Sequence, residues 1–280
     1  MNYKIHSNGW TAIIDSVDLN NATQEDINFI AKLVSRHTLV VVKKQNLTLE
    51  KELQILNMFK DPTPLFKKDD PNFIHTALDP DGIICRVTAE LNDHGRPGVG
   101  ANPNDFDWHA NLTWRKVRDP IIWLYGCRGT EGSSTSYNNN VLSYADLDIE
   151  IKNKIKDLKM IITGGKRHDG SNASSWADDE EWFHPLVYKS PQTGVEGMYL
   201  PFLQIRGFVG MPKDESQELI NFLGNYSIQE KYVYTHEWDD GDITISDQWH
   251  GIHKRYKFVS LEKRVMHRAA VWYPDQDYSL

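Results

Sequence analysis

Apolar residues recur along this chain in two rhythms, and the change from one to the other marks out its elements. "GWTAIIDSVDL" reads as a short strand and a turn. In "NATQEDINFIAKLVSRH", Ile27, Ile30, Leu33 and Val34 fall on one helical stripe, Thr23 is placed to cap it, and Asp26 sits at capping-box distance. "TLVVVKK" is β-branched and short, which predicts a buried strand, and "LTLEKELQILNMF" predicts a second helix capped by Thr48 and stopped by Pro62 and Pro64. Residues 67–107 are polar and rich in Asp, Asn, Gly and Pro, and predict a long irregular segment. "DPIIWLYGCRG" predicts a strand, "SYADLDIEIKNKIKDL" a capped helix from near Ser143, and 167–182 another polar loop. "HPLVYKSPQTGVEGMYL" predicts a hairpin turning at Pro191 to Gly194. "PKDESQELINFLGN" predicts a helix ended by Gly224 or Asn225, "YVYTHEWDDGDITISDQ" a second hairpin turning at Asp239 to Gly241, and "KRVMHRAAVWY" the last long strand.

Helices come early, strands late, and no repeat or low-complexity linker divides them. That order predicts one domain over 1–280, of α+β or mainly β class, with a sandwich or barrel core. Composition adds exclusions. A 40% hydrophobic and 25% charged chain of 280 residues can bury a sizeable core. A formal charge of −8 argues against a nucleic-acid partner, the short "KRYKF" run notwithstanding. Cys85 and Cys127 form no CxxC pair, so neither a disulfide framework nor a thiolate zinc site is expected. No apolar run has membrane-span length and the start carries no signal-peptide core, so a cytoplasmic protein without membrane association is the expectation.

Eleven histidines make chance pairings common, so each must be weighed. His109, in "DWHANLTW", shares a strand face with Asp107 and Asn111 by alternation. A strand histidine alone is as a rule a hydrogen-bonded core residue. His250 and His253 follow a strand in "DDGDITISDQWHGIHKR". Arg268 stands in the apolar strand "VMHRAAV", where a guanidinium needs an anionic partner, either a structural carboxylate or a ligand. His75, His94, His168 and His236 read as solvated surface residues.

Together these features resemble the Fe(II)/2-oxoglutarate-dependent dioxygenases of the taurine dioxygenase (TauD/TfdA) family. "WHANLTW" lies where the family has Trp-His-x-Asp, and "GSSTSYNNNVLSYADL" is similar to its Gly-Gly-Asp-Thr segment and following helix. "HPLVYKSPQTGVEGMYL" resembles its His-Pro hairpin, "WDDGDITISDQWHGIHKR" its strand ending in the distal histidine, and "KRVMHRAAV" its Arg-x-x-x-His-Arg strand. The resemblance implies a double-stranded β-helix (jelly-roll) core with flanking helices. It implies His109 and His253 as iron ligands, Arg268 as the anchor of the 2-oxoglutarate carboxylate, and Thr135 and Arg264 beside it. His253 is preferred to His250 for its offset from Asp247 and Arg268, His184 and His267 are read as packing residues, and Trp108 as a pocket wall. Fe(II) on a two-histidine, one-carboxylate face leaves positions for 2-oxoglutarate and O2, whose oxidative decarboxylation to succinate and CO2 yields an oxidant for a substrate C–H.

The sequence departs from the family at the carboxylate. Asn111 is isosteric with aspartate, offers a carbonyl oxygen, and carries no charge. Four readings stay open: a weak amide ligand, a vacated position as in the related halogenases, substitution by Asp107, or a catalytically silent site. The expected function is oxygenation, most simply hydroxylation, of a small molecule, with the 67–107 and 167–182 segments closing over it. The rivals are a non-catalytic 2-oxoglutarate-binding homologue and a halogenase on the same scaffold. A homo-oligomer is compatible with this reading.

Overall fold

The structure is a computed structural model and describes residues 1–101, 104–113, 120–163, 181–257 and 264–274. The apolar runs become strands of two main sheets. The larger is ordered Lys4–Ile5, Ala12–Ile14, Leu39–Val42, Ile243–Asp247, Ile121–Arg128, Val265–Trp272, Lys60–Thr63, with Cys85–Thr88 also paired to Val265–Trp272. The smaller is ordered Val233–Glu237, Ser134–Asn138, His253–Arg255, Phe106–His109. The chain passes back and forth between them: Phe106–His109 lies in the small sheet, Ile121–Arg128 in the large, Ser134–Asn138 in the small, and the last four strands alternate likewise. Strands outweigh helices among the described residues, and the fold is mainly β and jelly-roll-like.

Two helices cover the outer face of the large sheet. Gln24–His37 starts at Thr23 with the full capping box to Asp26, and Leu49–Leu56 starts at Thr48, whose hydroxyl accepts from Lys51 N. Ile27, Ile30 and Leu56 pack there on Trp123, Ile245 and Val271, all fully buried. A second core joins the Lys213–Ser227 helix to the sheet of Glu181–Pro185, Lys159–Thr163 and Ile205–Phe208.

Several elements differ from the pattern-based expectation, for physical reasons. Val233–Glu237 and Ile243–Asp247 are not a hairpin: the first pairs with Ser134–Asn138, the second with Leu39–Val42 and Ile121–Arg128. The turn between them is a crossing from one sheet to the other, at Gly241 with φ of +90°. The helix expected from Ser143 is two, Asn140–Ala145 and Ile149–Ile155, because Asn139 caps earlier by accepting from Val141 N and Leu142 N. The Lys213–Ser227 helix runs through Gly224, whose missing Cβ leaves room for the Phe202 ring, which a Cβ there would meet at 3.0 Å. The helix after Thr48 ends at Leu56, before the prolines, and Pro62 lies in Lys60–Thr63, the end strand of its sheet, where a missing N–H is tolerated. Within 67–107 the chain forms Phe73–Thr76, Cys85–Thr88 and the start of Phe106–His109, segments too short to show a period. The hairpin Val187–Lys189 and Glu196–Met198 is as expected. His168 and all but the end of the 167–182 loop lie outside the described residues. No helix among the described residues is long and apolar enough to cross a membrane.

Candidate metal and co-substrate site

The alternation between sheets brings distant residues together. His109 ends its strand directly opposite His253, and His253 is also paired with Tyr137 on its other side. The two imidazoles are buried, with ring centroids 4.3 Å apart. Phe106 packs on His109 at 3.9 Å and Tyr137 stacks on His253 at 5.9 Å. The Tyr137 hydroxyl is hydrogen-bonded to Thr244 Oγ1 of the large sheet at 2.7 Å, so this face of the small sheet looks into the space between the sheets.

The hydrogen bonds fix which nitrogens are free. His109 Nδ1 lies 2.6 Å from the Asp107 carbonyl, so Nδ1 carries the proton and donates, and Nε2 keeps its lone pair. Asn111 Nδ2 donates to His253 Nε2 over 3.3 Å, so that nitrogen too presents a lone pair. Burial pushes the His109 imidazole down to about 4; the Asp107 carbonyl opposes this, and the charges of Arg268 and Arg255 add to it. Burial, then the neighbouring His109 and Arg268, hold His253 well below its ordinary value. Both rings are therefore neutral at physiological pH, the form that ligates a metal.

Asn111 is held from behind. Its backbone N–H donates to Gln248 Oε1 at 2.5 Å, and Gln204 Nε2 donates to the Ala110 carbonyl at 3.2 Å. The next residue, Leu112, has φ of +56° although fully buried against Ile122 and Ala270. A bulky residue in that region is strained, typically by about 1–3 kcal/mol, and it directly follows Asn111, whose amide faces His253.

The cationic wall comes from the last strand and its approach. Arg268 is buried in Val265–Trp272, opposite Leu124 and Cys85. Its charge acts on both histidines. Arg264 is buried, donates from Nε to Ser133 Oγ at 3.2 Å, and is pushed down to about 10 by burial and by the charge of Arg255. Thr135 is buried, two residues from Tyr137 on the same face, and its hydroxyl accepts from Trp238 Nε1 at 3.0 Å.

His109, Asn111 and His253 are thus brought together. Trp108 is not with them: alternation turns it to the opposite face, where it is buried with Ala110 in the second core, and the expected pocket wall is instead packing. Asp107 contributes its carbonyl to His109 while its carboxylate reaches Lys254 Nζ at 3.5 Å and is largely exposed, which removes it as a stand-in for the carboxylate ligand. His250 is buried against the hairpin, with Nε2 3.0 Å from the Tyr188 carbonyl. His184 Nε2 lies 3.2 Å from the Thr113 carbonyl, and His267 Nδ1 lies 2.5 Å from Glu52 Oε2, both structural. His236 corrects the surface assignment: it is buried, with Nε2 3.2 Å from Asp242 Oδ2. Gln248 and Tyr137 escaped notice in the sequence, though Tyr137 shares its face with Thr135 by simple alternation.

A divalent cation fits these residues in one respect and not in another. Two neutral imidazoles present lone pairs, and a half-turn of the Asn111 amide would place its oxygen toward His253. Among the described residues no carboxylate completes the set, and no group of three His, Cys, Asp or Glu could hold a metal. The ligand set is therefore two imidazoles and one neutral amide, weaker for a hard cation than one with a charged oxygen.

Residues 4–270 match the sequence model of the taurine catabolism dioxygenase TauD, TfdA family. The chain belongs to that family. It is 29% identical over 210 residues to pentalenolactone F synthase of Streptomyces arenae, covering 68% of this chain and 69% of the relative. It is 22% identical over 245 residues to (S)-phenoxypropionate/alpha-ketoglutarate-dioxygenase of Sphingobium herbicidovorans, covering 82% and 80%. Among solved structures, AAD-2 in complex with Mn(II) and N-oxalylglycine superposes with a TM-score of 0.81 at 18% identity, over 97% of each chain. A taurine dioxygenase from Burkholderia xenovorans gives a TM-score of 0.74 at 19% identity, over 94% of this chain and 86% of that one. These structural likenesses bear on the fold.

Proposed function

We propose that the protein is a cytoplasmic Fe(II)- and 2-oxoglutarate-dependent oxygenase on a double-stranded β-helix, hydroxylating a small molecule. The observation that carries this reading is the pairing of His109 with His253 across the small sheet, with Arg268 of the facing sheet acting on both. Nε2 of each histidine holds the metal, and Asn111 offers its amide oxygen. Arg268 binds the distal carboxylate of 2-oxoglutarate through its planar fork, with Thr135 and Arg264 beside it. The bound iron supplies O2 activation coupled to decarboxylation of 2-oxoglutarate to succinate and CO2. The chain's own share is orientation: the Asp107 carbonyl sets the His109 tautomer, Gln248 holds the Asn111 backbone, and Phe106 and Tyr137 flank the two rings. A site with buried arginines and neutral histidines suits a dianionic co-substrate, whose charge replaces part of what the missing carboxylate would bring.

A second reading keeps the fold and 2-oxoglutarate binding without turnover. Its support is the Asn111 amide donating to the His253 nitrogen that the metal needs. Anaerobic titration with Fe(II) and 2-oxoglutarate separates the two. The oxygenase gives the visible charge-transfer band of the chelated co-substrate and then succinate on admission of air. Binding of 2-oxoglutarate without the band or succinate establishes the second reading, and failure to bind iron even in Asn111→Asp overturns the first.

A further inference from the structure

A separate pocket of about 210 Å³ opens on the far side of the large sheet, lined by Ile74, His75, Leu78, Arg86, Asn92, Asp93 and His94 among others. Strand register sets it apart from the metal site. Arg86 pairs with His267, which faces Glu52 of the covering helix, whereas the next pair, Cys85 with Arg268, faces the other way. Leu78 and Ile84 belong to the core under the covering helices, again on the outer face.

The polar chemistry of this pocket is cationic and incompletely satisfied. Arg86 Nη2 donates to the Glu90 carbonyl and, at 3.1 Å, to the Arg96 carbonyl, which leaves its buried Nε–H without a partner. His75 Nδ1 is likewise buried without a partner. A buried polar atom left unpaired is costly, so the guanidinium and the imidazole are each short of an acceptor. The His94 ring stands 5.8 Å from the His75 ring. Burial pushes His75 down, and the charges of Arg96, His94 and Arg86 push it further, so the imidazole sits in a positive field. The Glu90 carboxylate is held by Arg128, whose Nη2 donates to both its oxygens at 2.9 Å, and its charge on Arg86 is outweighed by burial. Asn92 braces the wall: its Oδ1 accepts from His94 N and Arg96 N at 3.0 Å, and its Nδ2 donates to the Ile74 carbonyl. Asp93 is the carboxylate in the lining and is exposed. Ile74, Ala77 and Leu78 supply an apolar wall.

We propose that this pocket is a second small-molecule site, which takes a small carboxylate with an apolar body. The carboxylate accepts from the Arg86 guanidinium and from the imidazole of His75, both of which line the pocket, and the body lies against Ile74 and Leu78. Charge-assisted hydrogen bonds of this kind are about twice as strong as neutral ones.

The test uses the full chain without metal, and isobutyrate titrated at constant ionic strength. The readout is the imidazole C2–H NMR signals of His75 and His94, assigned with His75→Gln and His94→Gln. The expected result is a saturable shift of the His75 signal with a rise in its titration midpoint, weakened about tenfold in Arg86→Gln. Inorganic phosphate, which lacks the apolar body, should bind more weakly. A shift that stays linear with concentration overturns the proposal, as does a saturable one that survives Arg86→Gln. If Arg86→Gln does not fold, His75→Gln takes its place, read on the His94 signal 5.8 Å away, and isobutyrate affinity unchanged in that variant is the overturning result. Signals of His109 and His253 report any binding at Arg268, so the outcome is independent of the oxygenase reading.

Discussion

Asn111 Nδ2 lies 3.3 Å from His253 Nε2, and this contact places an amide donor on a nitrogen that a metal would need. A bound cation must break it and rotate the amide. Replacing the amide by a carboxylate removes the competing donor and adds a negative charge. Asn111→Asp is therefore expected to tighten Fe(II) or Mn(II) binding by about 10–100-fold, the range associated with changes around metal ligands. Equilibrium titration of the purified protein against a competing chelator measures it. Equal affinity in the two proteins would mean that residue 111 does not reach the metal.

Behind Arg268, the buried Glu52 carboxylate accepts from Trp123 Nε1 at 2.9 Å and meets His267 Nδ1 at 2.5 Å. Glu52 is fully buried, so Glu52→Ala leaves two ring N–H groups without an acceptor and opens a cavity between helix and sheet. The expected loss is about 2–5 kcal/mol, as for a buried side chain truncated to leave a cavity and unpaired donors. Urea denaturation reads it. Glu52→Gln keeps an acceptor for Trp123 and should lose less.

Asp242 gives a prediction about acid. It is fully buried where the chain crosses between sheets, and it meets His236, Lys43 and Lys44 N. Burial alone would raise its carboxyl, but the close contacts of His236 and Lys43 and the Lys43 charge outweigh that and hold it below the ordinary 3.8. A carboxyl depressed on folding stabilises the fold above its unfolded pKa, and that contribution disappears as pH falls through the folded value. The stability gap between the wild type and Asp242→Asn should thus be constant from neutrality to about pH 4 and shrink below it. Lys43 works in the opposite sense: burial lowers it, but Asp242 and Asp239 raise it above 10.5, so its contribution is full below that pH and is lost as pH rises further. Denaturant midpoints across both ranges check the two arms.

These residues also show how far the sequence can be read. The Thr23–Asp26 capping box, the Leu39–Val42 run and the Val265–Trp272 strand were legible because each is decided by neighbours in the chain. The crossing at Gly241 was not, because a hairpin and a passage between sheets share the same local pattern of strand, glycine turn and strand. Burial of His236 follows from that crossing, which sets it on Asp242, and so was hidden with it. His109, His253 and Arg268 could be nominated because their order along the chain resembles a family. The packing of Trp108 away from them follows from strand alternation, which the sequence already contained.

Gly251 controls where His253 stands. The segment from Trp249 to Ile252 is bound on every side: Asp247 Oδ1 accepts from Trp249 N at 2.7 Å and His250 N at 3.2 Å, and Asn138 Oδ1 accepts from Ile252 N at 2.9 Å. Asn140 N donates to the His250 carbonyl at 2.8 Å. A Cβ on Gly251 would come within 2.9 Å of the Asn138 and Asp247 carbonyls and of Thr38 Cγ2. Two of those atoms are backbone and cannot swing aside, so the loop itself must move, and His253 is two residues on. Gly251→Ala is expected to cost about 1–3 kcal/mol as an overpacked site and to weaken metal binding by about 10–100-fold. Gly207→Ala is the control, since its Cβ would meet only Ser216 at 3.5 Å, an ordinary contact. Denaturation and metal titration on both variants decide it: a Gly251→Ala protein that loses stability but keeps full metal affinity would show that His253 does not depend on this close approach.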